Sequence, residues 1–132
     1  TGNELFKLAS PYAENGNYFG WTVATNGDVA IVGALYDDRN TDGAGRAYVY
    51  DTSTGDLLYE LSASDRAPVD QFGMSMAISG DTVIIGASTD DDAGDKSGSA
   101  YVFNNIPEPA SLSLVLAGSI ALMRRTGDNA YV

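Results

Sequence analysis

The chain has 132 residues with 15 glycines, no cysteine and no histidine, and its 18 acidic against 7 basic side chains give a formal charge of −11. The acidic excess excludes the phosphate-neutralising face that nucleic-acid binding needs. The absence of thiols and imidazoles excludes zinc fingers, iron–sulfur clusters, disulfide scaffolds, thiol catalysis and histidine triads, so that any metal must be hard and oxygen-bound.

Only 19% of the residues are charged and 44% are hydrophobic, which predicts a folded, turn-rich domain and not a disordered acidic tail. Taken in chain order, short β-branched or aromatic runs bounded by glycine and aspartate predict strands at 5–8, 19–25, 29–34, 46–50, 57–61, 72–79, 82–87 and 99–103. Asn26-Gly27 and Ser79-Gly80, each followed by aspartate, read as tight hairpin turns in which glycine supplies a positive φ.

These runs repeat. Residues 1–50 align without a gap on 54–103, a shift of 53 positions, with 19 identities in 50 pairs. Phe19 and Gly20 fall on Phe72 and Gly73, Gly33 and Ala34 on Gly86 and Ala87, and Ala47, Tyr48 and Val49 on Ala100, Tyr101 and Val102. A fixed period of this size implies stacked supersecondary units, each too small to bury its own apolar face. The fold class expected is all-β: a partial β-propeller of two four-stranded antiparallel units of period 53, followed by a short C-terminal apolar helix. Residues 1–8 correspond to the fourth strand of a preceding unit, so the chain is expected to be the C-terminal part of a longer propeller, an open stack whose edges further repeats would cover.

The string Phe19, Gly20, Val23, Ala24, Gly27, Asp28, Ile31, Val32, Gly33, Ala34 resembles an FG-GAP repeat, the blade unit of integrin α-chain propellers. The copy at Phe72, Gly73, Met76, Ala77, Gly80, Asp81, Ile84, Ile85, Gly86, Ala87 is similar to it in the same register. Thr54, Gly55 and Leu58 are also similar to the strand endings of quinoprotein propellers, whose tryptophan docking positions are not evident here. The FG-GAP resemblance implies an adhesive binding module that uses the loops between second and third strands, and makes Tyr36, Arg39 and Arg46 candidate contact residues.

Those loops, 37–45 and 90–98, are acidic. Asp38, Asn40 and Asp42 alternate ahead of Gly43, a spacing that lets three side-chain oxygens converge on one Ca²⁺. The second loop offers Asp90, Asp91, Asp92 and Asp95. Against a cation site, the twelfth position counted from Asp38 is Val49 where an EF-type loop has glutamate. The resemblance, moreover, would put Ca²⁺ between first and second strands. The other reading is a solvated loop rich in Asx turns. Catalysis is not expected: no serine or threonine has an imidazole base, and Lys7 and Lys96 stand in ordinary surface contexts.

Residues 106–132 hold two acidic and two basic groups, so the whole charge excess lies in 1–105. Three segments follow: repeats at 1–105, a tail at 106–125 and a polar end at 126–132. Pro107, Glu108 and Pro109 precede an apolar run at 110–123 and the pair Arg124 and Arg125. As a helix that run would span about 21 Å, short of the roughly 30 Å hydrocarbon layer. The order of these features resembles the PEP-CTERM sorting signal of exported bacterial proteins, which implies an exosortase-type processing enzyme, insertion in the inner membrane and a propeller held outside the cell. Thr126 to Val132 extends past the basic pair, where that signal ends. The expected function is an exported, surface-anchored module binding a protein or polysaccharide ligand. The alternatives are a structural envelope or matrix protein, and the C-terminal part of a propeller enzyme whose active site lies upstream.

Overall fold

The computed structural model of the chain describes residues 2–12, 16–37, 43–90 and 94–106. Strands β1 (Phe19–Thr25), β2 (Val29–Ala34), β3 (Arg46–Asp51) and β4 (Leu57–Leu61) form one antiparallel meander. Strands β5 (Ser75–Ser79), β6 (Thr82–Ala87) and β7 (Ser99–Phe103) form a second. The fold is therefore all-β with sheets of four and three strands, consistent with a partial propeller. The expected fourth strand of the second unit and the expected C-terminal helix fall outside the described residues.

The β1–β2 turn forms as its residues require. The Asn26 Oδ1 accepts the Asp28 and Val29 N–H groups at 2.9 and 3.0 Å, and Gly27 takes a φ of +102° that a Cβ would disfavour. In the second unit Ser79 pairs directly with Thr82, leaving Gly80 and Asp81 as the two-residue loop.

The alternation of side chains across each strand decides what lies between the sheets. Val29, Ile31, Ala47 and Val49 of the first sheet meet Val83, Ile85, Ala87 and Phe72 of the second unit in one buried cluster, with Tyr59, Leu61, Met76, Tyr101 and Phe103 at its margin. The opposite face of the first sheet, Val32, Ala34, Tyr48 and Tyr50, is covered by Leu8 and Phe19. Each unit thus offers one face forward and one backward, and the forward face of the first is buried on the backward face of the second.

Close approach between units rests on two glycines. A Cβ on Gly33 would lie 2.5 Å from Thr22 Oγ1 and 2.7 Å from the Gly73 carbonyl. Gly45, at φ +87°, pairs in a single parallel bridge with Phe72, whose carbonyl oxygen would overlap any side chain there. Further ties are the Thr22 hydroxyl, which donates to Gly73 O at 2.7 Å, and the Asn26 amide, which donates to Gly80 O at 2.7 Å.

Two strand expectations need correction. The run 72–79 begins pairing only at Ser75, because Gln71 and Gly73 sit at φ +59° and +100° and the Phe72 N–H is drawn to Ala44 O of the first unit at 2.8 Å. The matching irregularity in the first unit is the register shift between Phe19 and Thr22. The run 5–8 is not a strand, since no sheet edge pairs with it among the described residues. Leu5 is 76% exposed, while Leu8 docks on the first sheet's backward face.

Candidate functional site at the loop end of the stack

Because Asn26 ties the β1–β2 turn to the β5–β6 turn, both units point the same way and the β2–β3 and β6–β7 loops emerge at the opposite end. Each loop is built on the same aspartate. The Asp37 N–H donates to Ala34 O at 3.0 Å and its carbonyl accepts the Gly45 N–H at 3.1 Å; Asp90 repeats this with Ala87 O at 3.2 Å and the Gly98 N–H at 2.7 Å. Both side chains are fully buried, and each accepts a hydrogen bond from the hydroxyl of its unit's third-strand tyrosine, Tyr48 donating to Asp37 and Tyr101 to Asp90. A buried carboxylate is tolerated only with such partners.

The two copies then differ. In the first, Arg46 lies with its Nε 3.8 Å from Asp37 and its Nη1 donating to Glu60 at 3.3 Å. This corrects the expectation that Arg46 is a contact residue: it is buried, because the charge of Asp37 needs a cation where water cannot reach. In the second, the Tyr101 hydroxyl lies 2.6 Å from Asp90 and 2.8 Å from Asp65. Burial first, then the two carboxylates, push the Tyr101 phenol well above its ordinary range.

Asp38, Asn40 and Asp42, the predicted Ca²⁺ ligands, lie outside the described residues, as do Arg39, Asp91, Asp92 and the sorting motif Pro107, Glu108, Pro109, Arg124 and Arg125. Of the second acidic loop, Asp90 is buried against Tyr101 and Asp95 is exposed. Among the described residues no group of three or more acidic side chains is arranged to hold a metal ion. Of the repeat-defining residues, Gly33, Phe72, Gly73 and Ala87 lie where the two units meet, Phe19 and Ala34 pack on the backward face of the first sheet, Gly86 lies against Ser75 within the second sheet, and Gly20, at φ +93°, has open space around it.

Sequence reasoning singled out Tyr36 but missed the two aromatic residues that join it beside the first loop, Tyr18 and Trp21. Tyr18 and Trp21, each about half exposed, stack with ring centroids 5.9 Å apart and planes 15° apart, and Tyr36 meets Tyr18 edge-on at 5.2 Å. Gln71 of the second unit donates to the Tyr36 hydroxyl at 2.5 Å. The signal that could have found the group is the repeat's departure from itself, since positions 18, 21 and 36 are aromatic in the first copy and Gln71, Met74 and Thr89 in the second.

Two like sheets, stacked in one orientation through glycine-lined contacts with a buried aspartate at the start of each loop, are consistent with a partial propeller. The chain belongs to the FG-GAP repeat family, whose sequence model matches residues 3–50 and 58–103. FG-GAP repeats are typical of extracellular or surface proteins. No curated protein matches the chain.

Proposed function

We propose that this is an exported propeller module that binds a protein or polysaccharide ligand through the loop end of its stack, without catalysis, and is tethered and sorted through its C-terminal tail. The observation that carries the binding reading is the shared orientation of the β2–β3 and β6–β7 loops. A rigid stack holds both at one end, which is how loops on a fixed scaffold form a recognition surface. Tyr36 is the described side chain best placed for contact, fixed by Tyr18 and Gln71 at the base of the first loop.

The tethering reading is supported by sequence: Pro107, Glu108 and Pro109, then the apolar run 110–123, then Arg124 and Arg125. A marginally short apolar segment closed by a basic pair halts in a membrane with the arginines on the cytoplasmic side, and an exosortase-type enzyme would act near the prolines. Among the described residues no helix is long and apolar enough to cross a membrane. The test is deletion of 110–123 in the expressed protein followed by membrane fractionation. The full chain is expected in the membrane fraction and the deletion variant in the soluble one; recovery of both in the same fraction would overturn the anchor.

A further inference from the structure

The repeat supplies a control for the aromatic group at the loop end. Tyr18 and Gln71 share a left-handed backbone, at φ +56° and +59°, and Trp21 and Tyr36 fall on Met74 and Thr89. The second unit forms its turns and sheet with an amide, a thioether and a hydroxyl at these places. The blade therefore does not need rings there, and three rings on one patch call for a reason outside the fold. Tyr18 and Trp21 are 53% and 54% exposed. A unit stacked behind does not close the position: Gln71 and Met74 stay partly exposed although the Gln71 N–H is bonded to Gly43 O of the first unit.

The polar groups that touch the rings are uncharged. The Gln71 amide donates to the Tyr36 hydroxyl at 2.5 Å, and its Oε1 accepts the Thr89 hydroxyl at 3.4 Å. Asn17 lies between the two tyrosines, next to Tyr18 in the chain and with its carbonyl accepting the Tyr36 N–H at 3.3 Å. Its side chain is buried, yet neither Oδ1 nor Nδ2 has a hydrogen-bond partner among the described residues. The counterpart Asp70 is used locally, its Oδ2 accepting the Ala67 N–H at 3.1 Å. A buried amide without partners costs free energy that a ligand offering both a donor and an acceptor recovers.

We propose that this patch is a stacking subsite for a neutral polysaccharide of β-glucose units. The inference rests on the loop-end binding reading and narrows its ligand from protein or polysaccharide to one class. A pyranose whose hydroxyls are all equatorial presents a flat face of C–H groups, which suits the electron-rich outer face of the Tyr18 and Trp21 pair. Because the two rings already stack on each other, little freedom is lost in ordering them around a ligand. Hydroxyls at the sugar's edge both donate and accept, as the Asn17 amide requires. The charge of −11 repels an acidic polysaccharide. A basic peptide is not favoured either, since Asp37, the carboxylate adjacent to Tyr36, is buried on Tyr48 and Arg46.

Trp21 is the chain's only tryptophan, so its fluorescence reports the patch directly. Cellohexaose titrated into the full chain is expected to shift this emission saturably, with no dependence on salt. Tyr18→Ala and Tyr36→Ala keep the reporter and are each expected to weaken the probe about tenfold. Asn17→Ala, which breaks no side-chain hydrogen bond of the free chain, weakens it about fivefold, and Met74→Ala in the second unit leaves it unchanged. Circular dichroism checks that each variant is folded. No Trp21 response to cellohexaose at millimolar concentration would overturn the proposal, as would unchanged affinity in both tyrosine variants, which would put the glucan elsewhere. A response to an arginine-rich peptide and not to the glucan would keep the loop end as a binding surface, assign it to protein and overturn this proposal alone.

Discussion

Tyr59 carries its ring into the margin of the inter-sheet cluster, and its hydroxyl is buried with no hydrogen-bond partner among the described residues. Burial pushes this phenol from its ordinary 10 up to about 12. The folded chain thus keeps a proton that the unfolded chain releases between these values. The residue's contribution is fully present below pH 10 and is lost as the pH rises towards 12. Tyr59→Phe should therefore flatten the alkaline fall in stability between pH 9 and 11.5, read as urea midpoints against the unmodified chain. At pH 7 it should be neutral or stabilising by up to about 1 kcal/mol, because an unsatisfied hydroxyl is removed. Tyr101, raised by burial and two carboxylates, supplies an alkaline background common to both proteins.

Gly45 is the other position where one residue governs the assembly. Its φ of +87° and the overlap of any Cβ with the Phe72 carbonyl make Gly45→Ala costly on two counts, together about 2–4 kcal/mol in chemical denaturation. Gly27 has a comparable φ of +102° but open space around it. Gly27→Ala should cost only the conformational part, about 1–2 kcal/mol. Equal losses at both sites would show that the inter-unit bridge contributes nothing.

At the scale of the strands, the repeat gives an internal control that few proteins offer. Ile31 and Ile84 occupy the same place in the same strand, yet the first is fully covered by the second sheet and the second is 45% exposed. Ile31→Ala is expected to cost about 2–4 kcal/mol and Ile84→Ala less than about 1 kcal/mol, by urea denaturation. Similar costs at the two positions would mean that the forward face of the second sheet is already covered.

The strands themselves were legible because each is a short apolar run with glycine or aspartate at its ends. β1, β2, β4, β6 and β7 fall on the residues their sequence pattern marks, and β3 runs one residue longer. The pattern failed where pairing depends on a neighbour. Residues 5–8 look like a strand and are not one here, because a strand needs an edge. Phe72 looks like the start of β5 but pairs with Gly45 of the other unit instead. The buried aspartates were hidden for a similar reason. Asp37 and Asp90 read as members of acidic loops, and nothing local reveals that Tyr48 and Tyr101 reach back from the third strand to hold them.

For the whole molecule, charge sets the character of the surface while packing sets the stability. The acidic excess lies entirely within 1–105, which repels polyanions from that part, while residues 106–132 carry two acidic and two basic groups and leave the excess unchanged. The sequence by itself determined the repeat, its period, the all-β class and the family, because these are periodic properties that survive in one dimension. Which face of each sheet is covered, why Arg46 is buried instead of presented, and which tyrosine holds each buried aspartate were decided only by tertiary structure. The two units share nearly the same local pattern, and burial depends on what stands across from a side chain and not on the side chain's own surroundings in sequence.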